Sequence, residues 1–314
     1  MINFFDKLYS SIISKNALGN KILLYSCIRF MVRTIANIVL PVYLKLTSNN
    51  PDYVLKPTEK TTGRLIVSLT SFPARISKVW LAIETILRQT KKPDMIILWL
   101  YEEQFLGLES LPQRLLEMQK RGLIIKFRPV NLRSHTKYYF ALTEYPSDII
   151  VTIDDDIFYN TTLIEVLLKG YSLYPNNTIA TCCKQLLLNS NNEIIKYNVW
   201  KVIKHHSTNL YTFGLGVGGV LYPPGVLSPL FKNVDVFTKI CFYADDVWLY
   251  FMTIINGNRC VKIDFPSKIY LPVMIRNSMP LSSYNVNNSE NDIQIKAVFE
   301  YSTKKLGKNP FNIT

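Results

Sequence analysis

Residues 149–156 read Ile-Ile-Val-Thr-Ile-Asp-Asp-Asp, an apolar β-branched run that leads directly into three carboxylates. The run predicts a buried strand that ends where the acids begin, because aspartate is a poor strand former. Asp154 and Asp156 stand at i and i+2, so both side chains leave an extended chain end on one side. Hard oxygen ligands at this spacing suit Mg²⁺ or Mn²⁺. The alternative is a solvated acidic turn in which Asp156 caps the next helix.

Strand and helix signals alternate regularly around this segment. Apolar runs predict strands at 64–70, 95–100, 123–127 and 148–153. Helical patterns lie between and after them, at 79–89, 111–121, 137–144 and 163–174, with Ser77 as the predicted N-cap of the first. Further strand-like pieces follow at 179–183 and 194–203. Helical segments of this length between strands indicate βαβ units and a mostly parallel sheet. Ligands of such sheets bind outside the carboxyl ends of the strands, which predicts a metal–diphosphate site at the acid cluster.

The composition restricts the class of partner. A chain of 314 residues is long enough for one large α/β domain with appendages. The formal net charge of +13 favours an anionic partner: phospholipid, nucleic acid or a phosphorylated substrate. Nucleic acid is not expected, because the basic residues are not interleaved with aromatics in any RNA-binding motif. The five cysteines form no C-x-x-C pair, which predicts buried thiols in a reducing compartment.

The first fifty residues are apolar and basic. Their charged side chains, all cations but one, are Lys7, Lys15, Lys21, Arg29, Arg33, Lys45 and Asp6. Residues 22–46 are interrupted by Arg29, Arg33 and Pro41, and they therefore miss the criterion of about twenty nearly uncharged residues for a spanning helix. Such a composition suits helices that lie in the headgroup region of an anionic leaflet. The alternative is a helical hairpin packed on the main domain.

A second acidic pair, Asp245 and Asp246, stands between aromatic residues at the start of a predicted helix. One aspartate would suffice as a helix cap, so the pair indicates a carboxylate in a partly desolvated pocket. There its pKa would be raised, as suits a general base. The glycine-rich run 214–225 matches a dinucleotide fingerprint only loosely. Gly218 and Gly219 predict either a close approach of backbone to a ligand or a bulged strand.

Taken together, these segments resemble the family 2-like glycosyltransferases of the GT-A fold that occur in bacterial surface-polysaccharide gene clusters. The resemblance extends over about residues 64–263. Its basis is the order of four features: a loop after the first strand, a D-x-D, a glycine-rich segment and an E/D-D at a helix start. The resemblance implies a GT-A, Rossmann-like α/β fold with a mostly parallel sheet and flanking helices.

The resemblance also implies contacts to a nucleoside-diphosphate sugar. The family holds the nucleotide in the loop after the first strand, which corresponds here to Thr70, Ser71, Phe72, Pro73 and Arg75. Lys137 takes the place of a basic residue that contacts the nucleotide part of the donor. Gly218 and Gly219 fall in the segment that approaches the acceptor.

Metal binding and catalysis are assigned by the same resemblance. The D-x-D implies that Asp154 and Asp156 bind Mn²⁺ or Mg²⁺, with Asp155 near the ribose or the metal. The E/D-D implies that Asp246 is the catalytic base. Asp245 is then its partner, where the family usually has the longer glutamate.

Two departures from the family pattern affect the donor and the metal. The second strand ends in 98–100, Leu-Trp-Leu, without the carboxylate that often reads uracil, and Glu102 and Glu103 come only later. The nucleotide base therefore stays open, with a UDP-sugar as the first expectation. His205 and His206 are candidates for a third metal ligand, and the alternative for them is a structural pair on a strand edge.

The sequence predicts a metal-dependent glycosyltransferase that moves a sugar from a nucleoside-diphosphate sugar to a hydroxyl of a glycan or lipid-linked acceptor, in surface-polysaccharide synthesis. Two other classes stay open: a nucleotidyltransferase or metal-dependent phosphohydrolase using the same aspartates, and a non-catalytic membrane-binding protein. The predicted organisation is a membrane-associating helical segment at 1–50, a linker at 51–63, a catalytic domain at 64–270 and a partly helical extension at 271–314. The expected location is the cytoplasm, peripheral on the inner face of the cell membrane.

Overall fold

A computed structural model of the chain describes residues 1–12, 20–275 and 290–312. Lys15, the side chain of Lys21 and part of the predicted C-terminal extension lie outside the described residues. The described α-helices are α1 Ile2–Ser11, α2 Asn20–Leu46, α3 Pro73–Ile76, α4 Val79–Leu87, α5 Gln113–Glu117, α6 Thr136–Glu144, α7 Leu163–Leu173, α8 Val234–Ile240, α9 Asp245–Ile255 and α10 Glu290–Leu306.

Twelve described strands form one large and two small sheets. They are β1 Leu65–Thr70, β2 Met95–Tyr101, β3 Leu123–Arg128, β4 Ile149–Thr152, β5 Ile157–Phe158, β6 Thr178–Ala180, β7 Cys183–Gln185, β8 Lys201–Val202, β9 Thr212–Gly214, β10 Val220–Tyr222, β11 Cys260–Lys262 and β12 Leu271–Pro272. The large sheet has the order β11-β6-β10-β4-β1-β2-β3, and only β10 runs antiparallel to its neighbours. The predicted α/β class with a mostly parallel sheet is thus confirmed.

Helices cover both faces of this sheet, because successive strand residues point to opposite sides. Ile66 and Ile150 face a core shared with α6, α9 and α10. Val67 and Val151 face a second core with α4, α5 and α7. Continuous apolar strands of this kind are expected where a parallel sheet is buried on both faces. The strands β1 and β4 are parallel neighbours inside the sheet, so the loop after β1 and the acids after β4 lie together at the carboxyl-terminal end of the sheet.

Three local predictions differ from the structure. The helix at 111–121 is split into α5 and a 3₁₀ turn, although Gly122 ends it as expected with φ of +99°. Ser77 follows α3 and does not cap α4, whose N-cap is Lys78. The strand predicted at 194–203 is broken into a single β-bridge at Ile194, a 3₁₀ turn at Tyr197–Val199 and the two-residue strand β8.

The N-terminal helices pack on the α/β body. Along α2 the side chains of Val32, Ala36, Leu40 and Leu44 are buried at intervals of four residues. α2 runs through Pro41 without ending. By length and composition the stretch Leu23–Leu46 could cross a membrane, with a mean hydropathy of 1.5, so the expectation that it misses this criterion was wrong.

Candidate active site

The acid cluster follows β4 at the carboxyl-terminal end of the sheet, beside the loop that follows β1. The side chains of Asp154 and Asp156 are 30% and 25% exposed, whereas that of Asp155 is 6% exposed. Asp155 and Asp156 lie in a turn between β4 and β5, not on an extended strand end, yet Asp154 and Asp156 share the more exposed side as predicted. A short strand, β5, comes next, and α7 begins only at Leu163 with Thr162 as its N-cap. The capping role of Asp156 is therefore excluded, although the acidic turn that this alternative also predicted is present at Asp155 and Asp156.

The loop after β1 is tied to this cluster through Asp155. The Ser71 hydroxyl donates to Asp155 Oδ2 at 2.7 Å, and Arg75 Nη1 lies 2.7 Å from Asp155 Oδ1. The same Arg75 nitrogen lies 2.9 Å from Asp156 Oδ2. Burial raises the pKa of Asp155, and the Arg75 charge opposes this rise. Asp155 thus anchors the loop, and it leaves its two neighbours to face the open side.

The other predicted residues of this loop have distinct positions. Thr70 Oγ1 donates to the carbonyl of Trp99 at 2.9 Å, which joins the ends of β1 and β2. Pro73 is the first residue of α3 and Phe72 is its N-cap. The Phe72 ring is 38% exposed, and the Arg75 guanidinium lies 5.4 Å from its centre. An accessible aromatic face therefore stands beside the acid cluster.

Lys137 joins the two acidic motifs. From α6 its Nζ donates to Asp154 Oδ1 at 2.7 Å and lies 3.1 Å from Asp245 Oδ2. Burial lowers the pKa of Lys137, but the charges of Asp154, Asp245 and Asp246 outweigh it and raise that pKa well above its ordinary value. The lysine therefore stays charged between the two motifs. Contact with a nucleotide, the role implied by the resemblance, stays a prediction.

Asp245 and Asp246 begin α9, and Ala244 is its N-cap. Asp246 Oδ1 accepts a hydrogen bond of 3.0 Å from the backbone N–H of Gly216, not from its own helix. Burial disfavours the Asp245 carboxylate, yet the Lys137 charge lowers the pKa of Asp245 overall. Burial and the Asp245 charge together raise the pKa of Asp246 to about 8. Adjacent carboxylates with opposed pKa shifts are typical of acid–base sites.

Gly216 opens the space between the two motifs. A Cβ at this position would stand 3.0 Å from Asp246 Oδ1, 3.2 Å from Lys137 Nζ and 3.8 Å from Asp154 Oδ1. By contrast, a Cβ at Gly218 would meet Thr181 and Tyr270 inside the protein. Gly216 was missed by sequence reasoning, although the glycine-rich run that contains it was noticed.

Gly219 has a backbone reason of its own. Its φ of +78° lies in the left-handed region, and a Cβ there would stand 3.0 Å from Leu163 Cδ2. The close approaches of Gly218 and Gly219 are thus to the protein's own side chains. Their contact with substrate stays a prediction.

A buried histidine supports the site from behind. His135 Nε2 lies 2.7 Å from the carbonyl of Cys241, and its Nδ1 lies 2.8 Å from the Tyr138 hydroxyl. Its ring stacks on Phe237 at 4.4 Å, and burial lowers its pKa to about 4, so the ring is neutral. His135 therefore ties the start of α6, which carries Lys137, to the segment before α9. A single histidine gives no sequence pattern from which this role could be predicted.

Asp154 and Asp156 fit a divalent cation. Among the described residues, no hydrogen bond engages Asp154 Oδ2 or Asp156 Oδ1. Burial and the Asp154 charge raise the pKa of Asp156 to about 7, which shows that Arg75 does not balance the cluster fully. Mg²⁺ commonly takes one or two carboxylates and completes its shell with water and substrate phosphates.

A third protein ligand does not emerge from the described part of the chain, where no group of three His, Cys, Asp or Glu side chains is arranged to hold a metal ion. His206, one of the two predicted candidates, stacks on Tyr174, whose hydroxyl lies 3.0 Å from His206 Nε2. This contact favours the structural alternative for His206.

Comparisons with known proteins give a likeness of fold to solved structures. No protein-family model and no curated protein matches the chain. Among the solved structures that match is the mannosyltransferase PcManGT from Pyrobaculum calidifontis in complex with GDP-Man and Mn²⁺. It has a TM-score of 0.47 and 13% sequence identity, over 85% of this chain and 74% of that one. A likeness at this level assigns no residue role to the present chain.

Proposed function

We propose that the chain is a metal-dependent glycosyltransferase that moves a sugar from a nucleoside-diphosphate sugar to an acceptor hydroxyl. The observation that carries the proposal is the pairing of two different acidic sites across the opening at Gly216. On one side stand the exposed carboxylates Asp154 and Asp156. On the other stands Asp246, whose pKa of about 8 suits proton transfer near neutral pH. Both sites lie outside the carboxyl ends of the parallel strands β1 and β4.

Each acidic group then has a separate task. Asp154 and Asp156 would hold Mn²⁺ or Mg²⁺, which supplies positive charge against the diphosphate that leaves the sugar. Asp246 in its ionised form takes the proton of the acceptor hydroxyl as that oxygen attacks the anomeric carbon. Lys137 keeps Asp245 ionised, and the charge of Asp245 in turn makes Asp246 a stronger base. Lys137 also fixes the spacing of the two sites, because it contacts both.

The finer assignment extends the same proposal. The donor-binding loop is 70–75, with the exposed Phe72 ring beside the acid cluster. A UDP-sugar is the first donor to try, and the acceptor is a glycan or a lipid-linked glycan of surface-polysaccharide synthesis. A cytoplasmic location is supported by the five cysteines, all of which are free thiols.

A panel of ligands in a thermal-shift assay tests this function. One nucleoside-diphosphate sugar, from a set with uracil, guanine, adenine and thymine bases, should raise the melting temperature by roughly 5–10 °C at about 100 times its Kd. The shift should require Mn²⁺ or Mg²⁺, and Asp156→Asn is the matched control that should lose it. A shift with nucleoside triphosphates or phosphomonoesters but with no sugar nucleotide would favour the nucleotidyltransferase or phosphohydrolase instead.

A further inference from the structure

The two N-terminal helices present an unusually apolar outer surface. Eleven of the 21 large apolar side chains that are exposed in the described residues lie within positions 1–46. They are Met1, Phe4, Leu8, Leu23, Leu24, Phe30, Met31, Ile35, Ile38, Val42 and Leu46. We call this set the outer face of α1–α2. Monomeric proteins rarely expose a contiguous apolar patch of this kind without a partner.

The charges of these helices are arranged to leave that face apolar. Between positions 23 and 42 every exposed side chain is uncharged. Arg29 instead turns toward α1, where Nη2 donates to the carbonyl of Ile12 at 2.5 Å and the guanidinium lies 5.9 Å from the Tyr9 ring centre. Of the two arginines that interrupt the apolar segment, Arg29 therefore lies on the protein side, whereas the half-buried Arg33 places its guanidinium 5.5 Å from the ring centre of Phe30.

Polar contacts hold the helices firmly on the α/β body. The buried carboxylate of Asp6 accepts hydrogen bonds from Asn160 Nδ2 at 2.8 Å and from Ser267 Oγ at 2.5 Å. Asn37 of α2 accepts at 2.7 Å from the backbone N–H of Met274 and donates at 3.0 Å to the carbonyl of Pro272. Because α2 is packed against the body between Val32 and Leu44, the contacts favour a helix that lies on a membrane surface over one that spans the membrane.

The same contacts connect the helices to the acid cluster. Phe158 of β5 is packed with Leu40 and Leu44 of α2, and it follows Asp156 by two residues. The backbone N–H of Val273, next to β12, donates to the carbonyl of Asp156 at 2.7 Å. The position of the candidate active site relative to the outer face is therefore fixed by short, direct contacts.

We propose that the outer face of α1–α2 lies in the headgroup region of an anionic lipid bilayer. Charge complementarity selects this partner: residues 1–46 contain six cations, and their one acid, Asp6, is buried in the protein. The exposed cations Lys7 in α1 and Lys45 near the end of α2 would meet anionic headgroups favourably but would repel the same cations of a second copy of the chain. An acceptor carried by the membrane follows if the proposed function is correct, and the lipid contact itself does not depend on that function.

Substitution of the outer face is a sharper test than removal of residues 1–50. Removal would uncover Leu81, Phe158 and Leu271, which pack beneath the helices, and would confuse unfolding with loss of binding. The variant Ile35→Asn/Ile38→Asn changes two side chains that are 51% and 64% exposed. Its matched control is Leu173→Asn/Ile293→Asn, two residues that are 65% and 60% exposed elsewhere. Thermal melting confirms that both variants fold.

The full chain is sedimented with vesicles of phosphatidylcholine alone or with about 30% phosphatidylglycerol. Wild type and control should bind the anionic vesicles at least about tenfold more tightly than the neutral ones. Salt at about 0.5 M should remove this preference, because it shortens the Debye length to roughly 4 Å. The variant Ile35→Asn/Ile38→Asn should bind the anionic vesicles about tenfold or more weakly than wild type. Equal binding by this variant and wild type, or no wild-type binding, overturns the proposal.

Self-association is the remaining outcome that would overturn it. A dimer of wild type in vesicle-free solution that Ile35→Asn/Ile38→Asn abolishes would make a second copy the occupant of the outer face. Donor turnover by wild type is recorded in the same preparations. If that turnover is absent while vesicle binding follows the expected pattern, the proposed function fails and the lipid proposal stands.

Discussion

Asp246→Asn is expected to lower the rate of sugar transfer by roughly 10²–10⁴-fold, the usual contribution of a positioned general base. Asparagine keeps the size of the side chain and an oxygen for the Gly216 N–H, which lies 3.0 Å away, but it cannot accept the proton. Donor affinity, measured by calorimetry with Mn²⁺, should change by less than about twofold. The loss should therefore appear in turnover and not in donor binding.

The pH dependence of transfer follows from the raised pKa of Asp246. Burial and the Asp245 charge favour its protonated form, and a base must be ionised, so wild-type transfer should rise with pH toward about 8. Asp245→Asn should do less to the chemical step than Asp246→Asn, although it removes one of the two carboxylates that contact Lys137. It should also shift the rising limb of the pH profile to lower pH, because the neighbouring negative charge is gone.

Two results would contradict these roles. Normal transfer by Asp246→Asn together with an inactive Asp245→Asn would reverse the roles of the two aspartates. Normal transfer by both variants would show that the two aspartates only begin a helix and have no catalytic function.

Asp154→Ala and Asp156→Ala should each abolish metal-dependent donor turnover. The physical reason is that a two-carboxylate cation site loses half of its protein ligands in either variant. The fold should survive in Asp156→Ala with an equal or higher melting temperature in the absence of metal. The pKa of Asp156 is raised to about 7 by burial and by Asp154, so its ionised form destabilises the metal-free fold, and this penalty disappears with the carboxylate.

Asp154→Ala differs in one respect from its partner variant. It leaves the buried Lys137 with Asp245 alone, so some loss of stability is expected there. The measurement is donor turnover across a Mn²⁺ titration together with melting curves with and without metal. Near-normal turnover by either variant at saturating Mn²⁺ would contradict the metal assignment.

Regular elements were predictable because local pattern and tertiary environment agree in them. The run 149–153 is apolar since β4 is buried on both faces, and the acids after it mark the sheet edge. Asp154 and Asp156 do share the more exposed side, but Asp155 and Asp156 lie in a turn between β4 and β5 and not on the extended strand end that was predicted. Segment 194–203 was mistaken for a strand because its apolar residues serve loop packing, with Trp200 buried and Tyr197 against Phe213.

The contacts between distant segments could not be read from pattern. Nothing in the sequence around Lys137 shows that its Nζ bridges Asp154 and Asp245, which follow it in the chain by 17 and 108 residues. The N-terminal helices give the same lesson, because packing on the body and an exposed apolar face were treated as alternatives. The structure shows both on one helix, since opposite sides of α2 meet different surroundings.

The most direct test of the central claim is release of nucleoside diphosphate from a sugar nucleotide by wild-type protein. With Mn²⁺ and no acceptor, release should be slow, should stop when EDTA is added and should return with excess Mn²⁺. It should be absent in Asp154→Ala and strongly reduced in Asp246→Asn, where water takes the place of the acceptor hydroxyl. Release of pyrophosphate or inorganic phosphate instead, or no release from any sugar nucleotide at saturating Mn²⁺, would contradict the assignment as a glycosyltransferase.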